Sequence, residues 1–574
     1  MAGGLAQQPQ LWGLVASEAW RRFKRRMRSG PIAKWRFAGR APDRILIAPP
    51  DLRNADPHIA QEFYAGRYYL AGTSVETRGQ SPFLVEAPNP AWEKALHNFQ
   101  WLRHMREAGT DIAAAHARSL VGDWLAGDGR LVTGISWEPE VVAQRIIAWL
   151  QHSNVILKGA DLTFYRAFLK SLSLQIKYLR RLAPEMDAGE PRLIARIALA
   201  YSALALPVSS VKLRAATRNL ERDLAEQILP DGGHISRSPL TILELLADLL
   251  PLRQTYAIQS SSPPQALIAA IERMLPALRF FRHQDGALAL FNGVGLTRTE
   301  RLAAVLRHDE SGGAPLMSAT HSGFQRLAMG GVTIIADTGG PPPVSASREA
   351  HAGCLSFELS SGRHRYIVNA GVDKNGPEEF RALARATAAH SAATLNDTSS
   401  CRFSLSPSMT RMLGTAMVGG PKNVTVERRG GDGWQGFTAR HDGYAPAFKL
   451  LHERSLVLSN AGSVLEGADR FLPSSKRKAG GTARDAAVIR FHLHPNVRPI
   501  VNAEGHLMLL AEGGDSWVFT CQELTPALQD SIFFAGITGP VKTKAIILEF
   551  KPSELSQVHW RFTRTALGAH SQRG

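Results

Sequence analysis

Apolar residues recur at three- and four-residue spacing from about residue 91 to about residue 305. Segments such as AWEKALHNFQWLRHMREAG, VVAQRIIAWLQHS and LTFYRAFLKSLSLQIKYLRRLA keep this spacing, and short breaks rich in Pro, Gly and Ser separate them. One apolar stripe per segment predicts a series of amphipathic helices. Successive helix pairs of this kind indicate an α/α array, solenoid or toroid.

After about residue 318 the pattern changes to alternation of apolar and polar residues. CLSFELSSGRHRYIVNAG and FKLLHERSLVLSNAGSVLEG are examples, and Gly-rich turns separate such runs. This period of two predicts a β-sandwich or related all-β domain. We therefore expect an α+β multidomain protein, an N-terminal α/α toroid followed by a C-terminal antiparallel β-sandwich. The expected boundaries are a lead-in over 1–90, the helical domain over 91–310, the sandwich over 318–562 and a tail over 563–574.

Composition and charge narrow the class of protein. The 574 residues are 44% hydrophobic and 20% charged, which is typical of a folded protein with more than one domain. Lys and Arg number 67 against 50 Asp and Glu, so the formal net charge is +17. A field of this sign attracts polyanions: nucleic acid, anionic lipid or acidic polysaccharide. Three cysteines in such a chain exclude a disulfide framework.

The N-terminus is basic. Arg21, Arg22, Lys24, Arg25, Arg26 and Arg28 follow a weakly apolar stretch instead of preceding one, which is the reverse of a secretory signal. No run approaches the about 20 apolar residues of a membrane span. The basic cluster is either a solvated helix face or a site for peripheral contact with an anionic membrane or nucleic acid. The basic residues elsewhere are scattered and lack an RNA-binding signature, so we expect no nucleic-acid partner.

Three segments carry a family resemblance. EAHAGCLSFELSSGRHRYIVNAG, RATAAHSAATLNDTSS and the upstream QILPDGGHISRSP are similar to signature regions of the heparinase II/III-like polysaccharide lyases. The resemblance covers most of the chain after about residue 90. It implies a helical toroid followed by a sandwich, and a carbon–oxygen lyase that cleaves an acidic, uronate-containing polysaccharide by β-elimination.

The resemblance also implies a site. A base must remove the proton next to the uronate carboxylate, whose charge is neutralised by a metal, Asn, Arg or His, and an acid must protonate the leaving oxygen. His351 matches the family's strand histidine, a metal ligand or catalytic base, and His390 matches its second metal-binding histidine. The third ligand, an Asp in the family, falls on Asn369, which is a poor zinc ligand. A divalent metal such as zinc would therefore need a further ligand, for which an oxygen of Glu349 is the candidate, and we expect no required cofactor.

The turn Pro230-Asp231-Gly232-Gly233-His234 opens a helix at Pro239, and we expect it to carry His234, a catalytic candidate, and Arg237, a carboxylate binder, to a cleft shared with His351. The alternative is a structural turn. The family's Glu falls on Ser236 and its acid Tyr on Thr241, which cannot replace a phenol. Another residue would then act as the acid: either a Tyr, such as Tyr165, Tyr201, Tyr256 or Tyr444, or a His. Asn154, beside His152, is a further candidate for carboxylate binding, with a helix cap as its alternative, and Tyr444 is a second groove candidate.

Three functions remain in view. The first is a lyase acting on an acidic polysaccharide between toroid and sandwich. The second is a non-catalytic glycan-binding or cell-envelope protein that kept the fold and lost the chemistry. The third is a basic structural protein associated with membrane or nucleic acid. The family resemblance implies the cell envelope or periplasm, whereas the lack of a visible export signal leaves the cytoplasm open.

Overall fold

The computed structural model describes residues 8–28, 37, 41–259, 262–309, 312–404, 410, 414–475, 482 and 484–565. A basic helix, α1 (Gln8–Arg28), comes first, followed by α2 (Pro57–Tyr64) and a hairpin of β1 (Arg67–Leu70) and β2 (Thr73–Glu76). The segment expected to be a lead-in therefore has regular structure of its own. No helix in the described part of the chain is long and apolar enough to cross a membrane.

The helical domain continues with helices arranged in packed pairs. They are α3 (Pro90–His97), α4 (Leu102–Ala108), α5 (Asp111–Ala126), α6 (Pro139–Gln151), α7 (Ser153–Leu157), α8 (Leu162–Leu182), α9 (Glu190–Ala205), α10 (Ser210–Gln227), α11 (Pro239–Ile258), α12 (Gln265–Phe280) and α13 (Thr299–Leu306).

Two kinds of helix build this domain. Nearly every residue of α6 and of Leu193–Ala205 in α9 is buried, and α11 is likewise buried around most of its circumference. Helices buried on all sides lie inside a structure, whereas α8 and α10 bury one stripe and face solvent on the other. The predicted α/α toroid is confirmed.

In its described residues, the second half consists of antiparallel strands together with short helices that include α14 (Glu378–Ala384) and α15 (Ala445–Phe448). The strands are β3 (Ser318–Ala319), β4 (Phe324–Met329), β5 (Val332–Asp337), β6 (Phe357–Ser361), β7 (His364–Val368), β8 (Ala393–Leu395), β9 (Arg402–Phe403), β10 (Met417–Gly419), β11 (Val424–Gly431), β12 (Trp434–His441), β13 (Leu450–Ser459), β14 (Val464–Pro473), β15 (Ala487–Leu493), β16 (Val497–Val501), β17 (Leu507–Ala511), β18 (Ser516–Cys521), β19 (Ala527–Phe533), β20 (Val541–Phe550) and β21 (Gln557–Thr565).

Two large sheets form the sandwich. One has the order β11-β12-β13-β14-β21-β18-β17-β16, and the other has the order β19-β20-β15-β7-β6-β5-β4-β3, with β8 paired to β15. Alternation along β13 buries every second residue. The sheets meet where Phe357 stacks on Trp560 at 5.6 Å between ring centroids. The predicted antiparallel sandwich is confirmed, and β21 extends three residues into the segment expected to be a tail.

The two domains share buried contacts. Phe324, at the start of β4, packs edge-on against Phe281 of the helical domain at 4.8 Å between centroids. His283 lies between the hydroxyl of Ser360 (2.8 Å) and the carboxylate of Glu358 (3.0 Å), both on β6. All of these side chains are buried. The boundary is therefore a packed interface, and Arg237, one of the residues predicted to be functional, lies on it.

Candidate functional site

His351 and His390 lie in direct contact beside this boundary. His351 belongs to the loop between β5 and β6, and His390 lies three residues before the start of β8. The Nδ1 atom of His351 is 3.1 Å from Nε2 of His390, and both residues are buried. The two histidines that the sequence assigned to one centre are thus neighbours. Whether they act in catalysis stays a prediction.

The surrounding hydrogen bonds fix the protons on both rings. Nδ1 of His390 lies 2.8 Å from the carbonyl oxygen of Ala386, to which it can only donate. Nε2 of His390 therefore accepts, and His351 donates from Nδ1. Nε2 of His351 then carries a lone pair, which accepts the backbone N–H of Gly293 at 3.2 Å. Each ring is neutral, and each nitrogen has a partner.

Burial keeps this pair uncharged. Desolvation lowers the pKa of His390 to about 4, against the opposing hydrogen bond to Ala386. Desolvation also holds the pKa of His351 well below its usual range, and the nearby His390, Arg385 and Arg381 act in the same direction. The pair is therefore an uncharged, internally bonded unit at neutral pH.

The residues proposed as metal ligands do not fit zinc. A zinc-bound histidine normally donates its second ring N–H to an acceptor, as His390 does to Ala386. The second nitrogen of His351 instead accepts a backbone N–H, so its proton lies on Nδ1, the atom that would have to ligate. The Oδ1 atom of Asn369 accepts the N–H of Ser391, and Glu349 is ion-paired with Arg381 at 2.7 Å. Among the described residues, no group of three or more His, Cys, Asp or Glu could hold a metal ion.

Arg237 joins the two domains through its guanidinium group. Its Nε donates to the carbonyl of Ser322 at 2.7 Å, Nη1 to that of Gly340 at 2.8 Å and Nη2 to that of Gly323 at 3.1 Å. Nη2 also forms an ion pair with Asp337, the last residue of β5. These buried partners occupy the guanidinium, and a role of Arg237 in binding a substrate carboxylate stays a prediction.

The turn before α11 is likewise built into the interior. α11 begins at Pro239 as predicted. His234, expected at an exposed position, has no exposed surface, and its ring bonds Ser236 at 2.8 Å and Gln227 at 3.3 Å. Burial lowers its pKa to about 4. Thr241, at the position of the family's tyrosine, is buried and donates to Glu190 at 2.9 Å. The expectation of an exposed His234 is therefore wrong.

The remaining buried candidates have partners other than the histidine pair. The hydroxyl of Tyr256 contacts that of Thr217 at 2.9 Å, and the hydroxyl of Tyr444 donates to the carbonyl of Ala393 at 2.6 Å; both residues are buried. His152 is buried 3.6 Å from the Asp51 carboxylate, and burial lowers the pKa of His152 to about 3.

Asn154 is the exposed member of the predicted set. It lines a surface pocket together with Tyr165 and Lys158. Residues 45–48, which precede the helical domain, also line this pocket.

Sequence reasoning missed Asn292, which links two of the candidates. Its Oδ1 accepts the backbone N–H of His351 at 2.9 Å, and its Nδ2 donates to the backbone carbonyl of Arg237 at 2.9 Å. Asn292 has a φ of +47°, a conformation that Asn tolerates better than most residues. The Asn292-Gly293 dipeptide is a turn signal in the sequence, but nothing local predicts what its side chain binds.

A helical toroid joined through a packed interface to a two-sheet sandwich is the architecture of heparinase-type polysaccharide lyases. The structure superposes on a crystal structure of heparinase III with a TM-score of 0.68 and 13% identity, covering 88% of this chain and 82% of that one. For a heparan sulfate lyase from Pedobacter heparinus the TM-score is 0.58 and the identity 15%, over 99% of this chain and 92% of that one. Identities this low show the fold alone.

Residues 311–561 match the heparinase II/III-like C-terminal family. The C-terminal sandwich is therefore a heparinase II/III-like domain, and the chain as a whole shares the fold of heparinase III. A curated relative, the FtsZ-localized protein C of Caulobacter vibrioides, is 29% identical over 564 residues, which cover 96% of each chain.

Proposed function

We propose that this protein is a non-catalytic member of the lyase fold that localises with FtsZ on the cytoplasmic side of the cell envelope. One observation carries the non-catalytic part: the histidine predicted to act as base, His351, has both ring nitrogens engaged in internal hydrogen bonds. The localisation rests on the relative named FtsZ-localized protein C, which matches along nearly the whole chain.

The chemistry of β-elimination explains why that observation matters. A base must approach a substrate C–H with a free lone pair, and an acid must reach the leaving oxygen. The lone pair on Nε2 of His351 is held by Gly293, and the phenols of Tyr256 and Tyr444 are buried with hydrogen-bond partners. The Arg237 guanidinium, expected to bind the uronate carboxylate, is bound to Asp337 and three carbonyls. These features support a scaffold that has lost the reaction.

Localisation is tested with a fluorescent fusion of the full chain in living cells. We expect a band that coincides with labelled FtsZ and disperses when FtsZ is depleted. A fusion that stays diffuse, or a band that persists without FtsZ, would overturn the localisation. Arg237→Ala, which we expect to weaken the domain interface, shows whether localisation needs the joined domains.

The second candidate function is elimination on an acidic polysaccharide. The lyase fold and the net charge of +17 support it, because a basic protein attracts a uronate polymer. The protein is incubated with a panel of uronate polymers, and absorbance at about 230 nm detects the unsaturated product of elimination. Absorbance that rises with the native protein and not with His351→Ala would establish catalysis; the matched control is His506→Ala, at an exposed histidine of the sandwich. Binding without product would support a glycan-binding role.

A further inference from the structure

The two large sheets of the sandwich end in strands that have a neighbour on one side only. In the described part of the chain, the two end strands are β11 and β16 in one sheet and β19 and β3 in the other. An end strand exposes unpaired N–H and C=O groups, and proteins usually block it with charge, proline or short length. β16 contains Pro499, β11 has three consecutive charged residues at 427–429, and β3 has two residues. Three of the four edges therefore carry a device that discourages pairing.

Strand β19 is built differently. Its seven residues, ALQDSIF, include no proline, glycine or basic residue, and they extend over about 23 Å. Five of the seven are exposed, and all seven pair with β20 in an uninterrupted antiparallel register. The one charged residue, Asp530, is compensated within the sheet, because its carboxylate lies 2.7 Å from the ammonium of Lys544 on β20. β19 therefore presents a long, regular and unprotected edge.

Apolar side chains lie beside this edge. Leu528 and Ile532 are four residues apart, so alternation places them on the same face of the sheet. Leu528 lies opposite Ile546, which belongs to the core between the two sheets. Leu528 is nevertheless 38% exposed and Ile532 is 46% exposed. At β19 the sheet therefore projects beyond the cover of the opposite sheet and leaves apolar surface next to the unpaired backbone.

The sequence of β19 is complementary to itself. Asp530 is the central residue, flanked on each side by a polar residue and then by a large apolar one, Leu528 or Ile532. If a second β19 runs antiparallel with Asp530 opposite its own counterpart, Leu528 of each copy lies opposite Ile532 of the other. Residues directly opposite each other in an antiparallel pair share a face and contact each other. This register therefore forms two apolar pairs around a twofold axis, which is the symmetry of most protein dimers.

We propose that two copies of this chain associate through β19 and join their nine-stranded sheets edge to edge. The backbone groups on the free side of β19 then pair with those of the second copy, and the apolar pairs cover the surface left open by the opposite sheet. The two Asp530 carboxylates meet at the axis, each beside the Lys544 of its own chain, so the four charges cancel. An unrelated peptide strand would not require this palindromic pattern, which is why a second copy is the occupant that β19 fits.

Analytical ultracentrifugation of the purified full-length chain, from about 1 to about 100 μM, measures the association. We expect an equilibrium between monomer and dimer. Leu528→Lys/Ile532→Lys should raise the dissociation constant about tenfold or more, because it places like charges opposite each other in both apolar pairs. Val501→Lys is the matched control, since Val501 is 65% exposed on the edge strand β16 of the other sheet, and it should dimerise like the native chain. Circular dichroism and thermal melting check that every variant is folded.

Oxidative cross-linking tests the register in a Cys521→Ser background, because the other two cysteines are buried. Asp530→Cys should form a disulfide-linked dimer with a thiol oxidant such as diamide, since opposite Cβ atoms lie about 5 Å apart. Leu528→Cys should not, because position 528 lies opposite position 532 of the second copy. A monomer at every concentration, undiminished dimerisation of Leu528→Lys/Ile532→Lys, or cross-linking of Leu528→Cys in place of Asp530→Cys would overturn the proposal. The assays contain no FtsZ, so their outcome is independent of the proposed localisation.

Discussion

Arg237 and His351, which the sequence assigned to one substrate cleft, are joined through a single intervening side chain. Asn292 accepts the N–H of His351 and donates to the carbonyl of Arg237, in both cases at 2.9 Å. The two candidates do belong to one region, as a sequence resemblance would suggest. Their side-chain nitrogen atoms, however, are hydrogen-bonded to other groups of the protein. The region therefore serves as a structural contact between the two domains.

We expect Arg237→Ala to lower the free energy of unfolding by about 3–5 kcal/mol, because it leaves the buried Asp337 carboxylate without its cation. Urea unfolding measures the loss. The double variant Arg237→Ala/Asp337→Ala should lose less than the sum of the single variants. The matched control is Arg429→Ala, whose partner Glu427 is exposed, with an expected change below about 0.5 kcal/mol. Strict additivity would mean that the two side chains do not interact.

Local patterns predicted the fold because they report burial directly. The ten residues of β13 alternate between buried and half-buried positions. Helices α8 and α10 each bury one stripe of residues. The environment of Arg237 is set by Ser322 and Gly340, which are 85 and 103 positions away. A Gly-rich turn has the same sequence signature whether it is exposed or covered by another domain. That is why the sequence predicted the turn and the start of α11 correctly, but not the burial of His234.

Stability should fall as the pH is lowered from about 6.5 toward about 4. His234 has an ordinary pKa of 6.5 in the unfolded chain and a pKa of about 4 in the folded protein. Below pH 6.5 the unfolded state therefore binds a proton that the folded state refuses, and this favours unfolding by up to about 3 kcal/mol. Urea unfolding of His234→Gln and of the native chain, at several pH values between 7.5 and 4.5, measures how much of this loss of stability comes from His234.

The slope of the unfolding free energy against pH should be shallower for His234→Gln by about one proton. The matched control is His506→Gln, which replaces an exposed histidine of the sandwich. Parallel curves for the native chain and His234→Gln would show that His234 is not the source.

Gly353 packs directly against the ring of His390, which leaves little room for a side chain at this position. A Cβ atom there would lie 2.9 Å from Cδ2 and 3.3 Å from Nε2 of His390. The His390 ring cannot move cheaply, since both of its nitrogens are hydrogen-bonded. We expect Gly353→Ala to cost about 1–3 kcal/mol of stability and Gly353→Asp more. Gly13→Ala, which meets nothing within 4 Å, is the control for the loss of a glycine. Unchanged melting of Gly353→Ala would show that the pair has room to shift.

We expect no stoichiometric zinc in the purified protein after dialysis, measured by mass spectrometry of the metal. The proton on Nδ1 of His351 and the amide of Asn369 both disfavour ligation. Added zinc should also leave the melting temperature unchanged, because a ligand that binds the folded state would raise it. One tightly held zinc per chain would mean that His351 changes tautomer and that another oxygen, such as that of Glu349, completes the site.

Restoring the family's phenol by Thr241→Tyr tests whether only the acid has been lost. Thr241 is buried, and its hydroxyl donates to Glu190, whose other oxygen is 3.5 Å from the ammonium of Lys374. We expect a cost of about 1–3 kcal/mol from the larger ring and no elimination on any uronate polymer, because the lone pair of His351 remains bound to Gly293. Thr241→Ser, which keeps the hydroxyl, is the matched control.

Formation of the unsaturated product by Thr241→Tyr would contradict this reading of the site and identify the natural protein as a lyase that lacks only its acid. If Thr241→Tyr adds nothing while the native chain makes product that His351→Ala abolishes, the protein is a working enzyme with a different acid. If the native chain, Thr241→Tyr and His351→Ala all form no product, and the fusion protein forms a band that coincides with FtsZ, the result is the one expected of a non-catalytic scaffold. The three outcomes differ in product formation alone, so a single absorbance assay on folded, matched variants separates them.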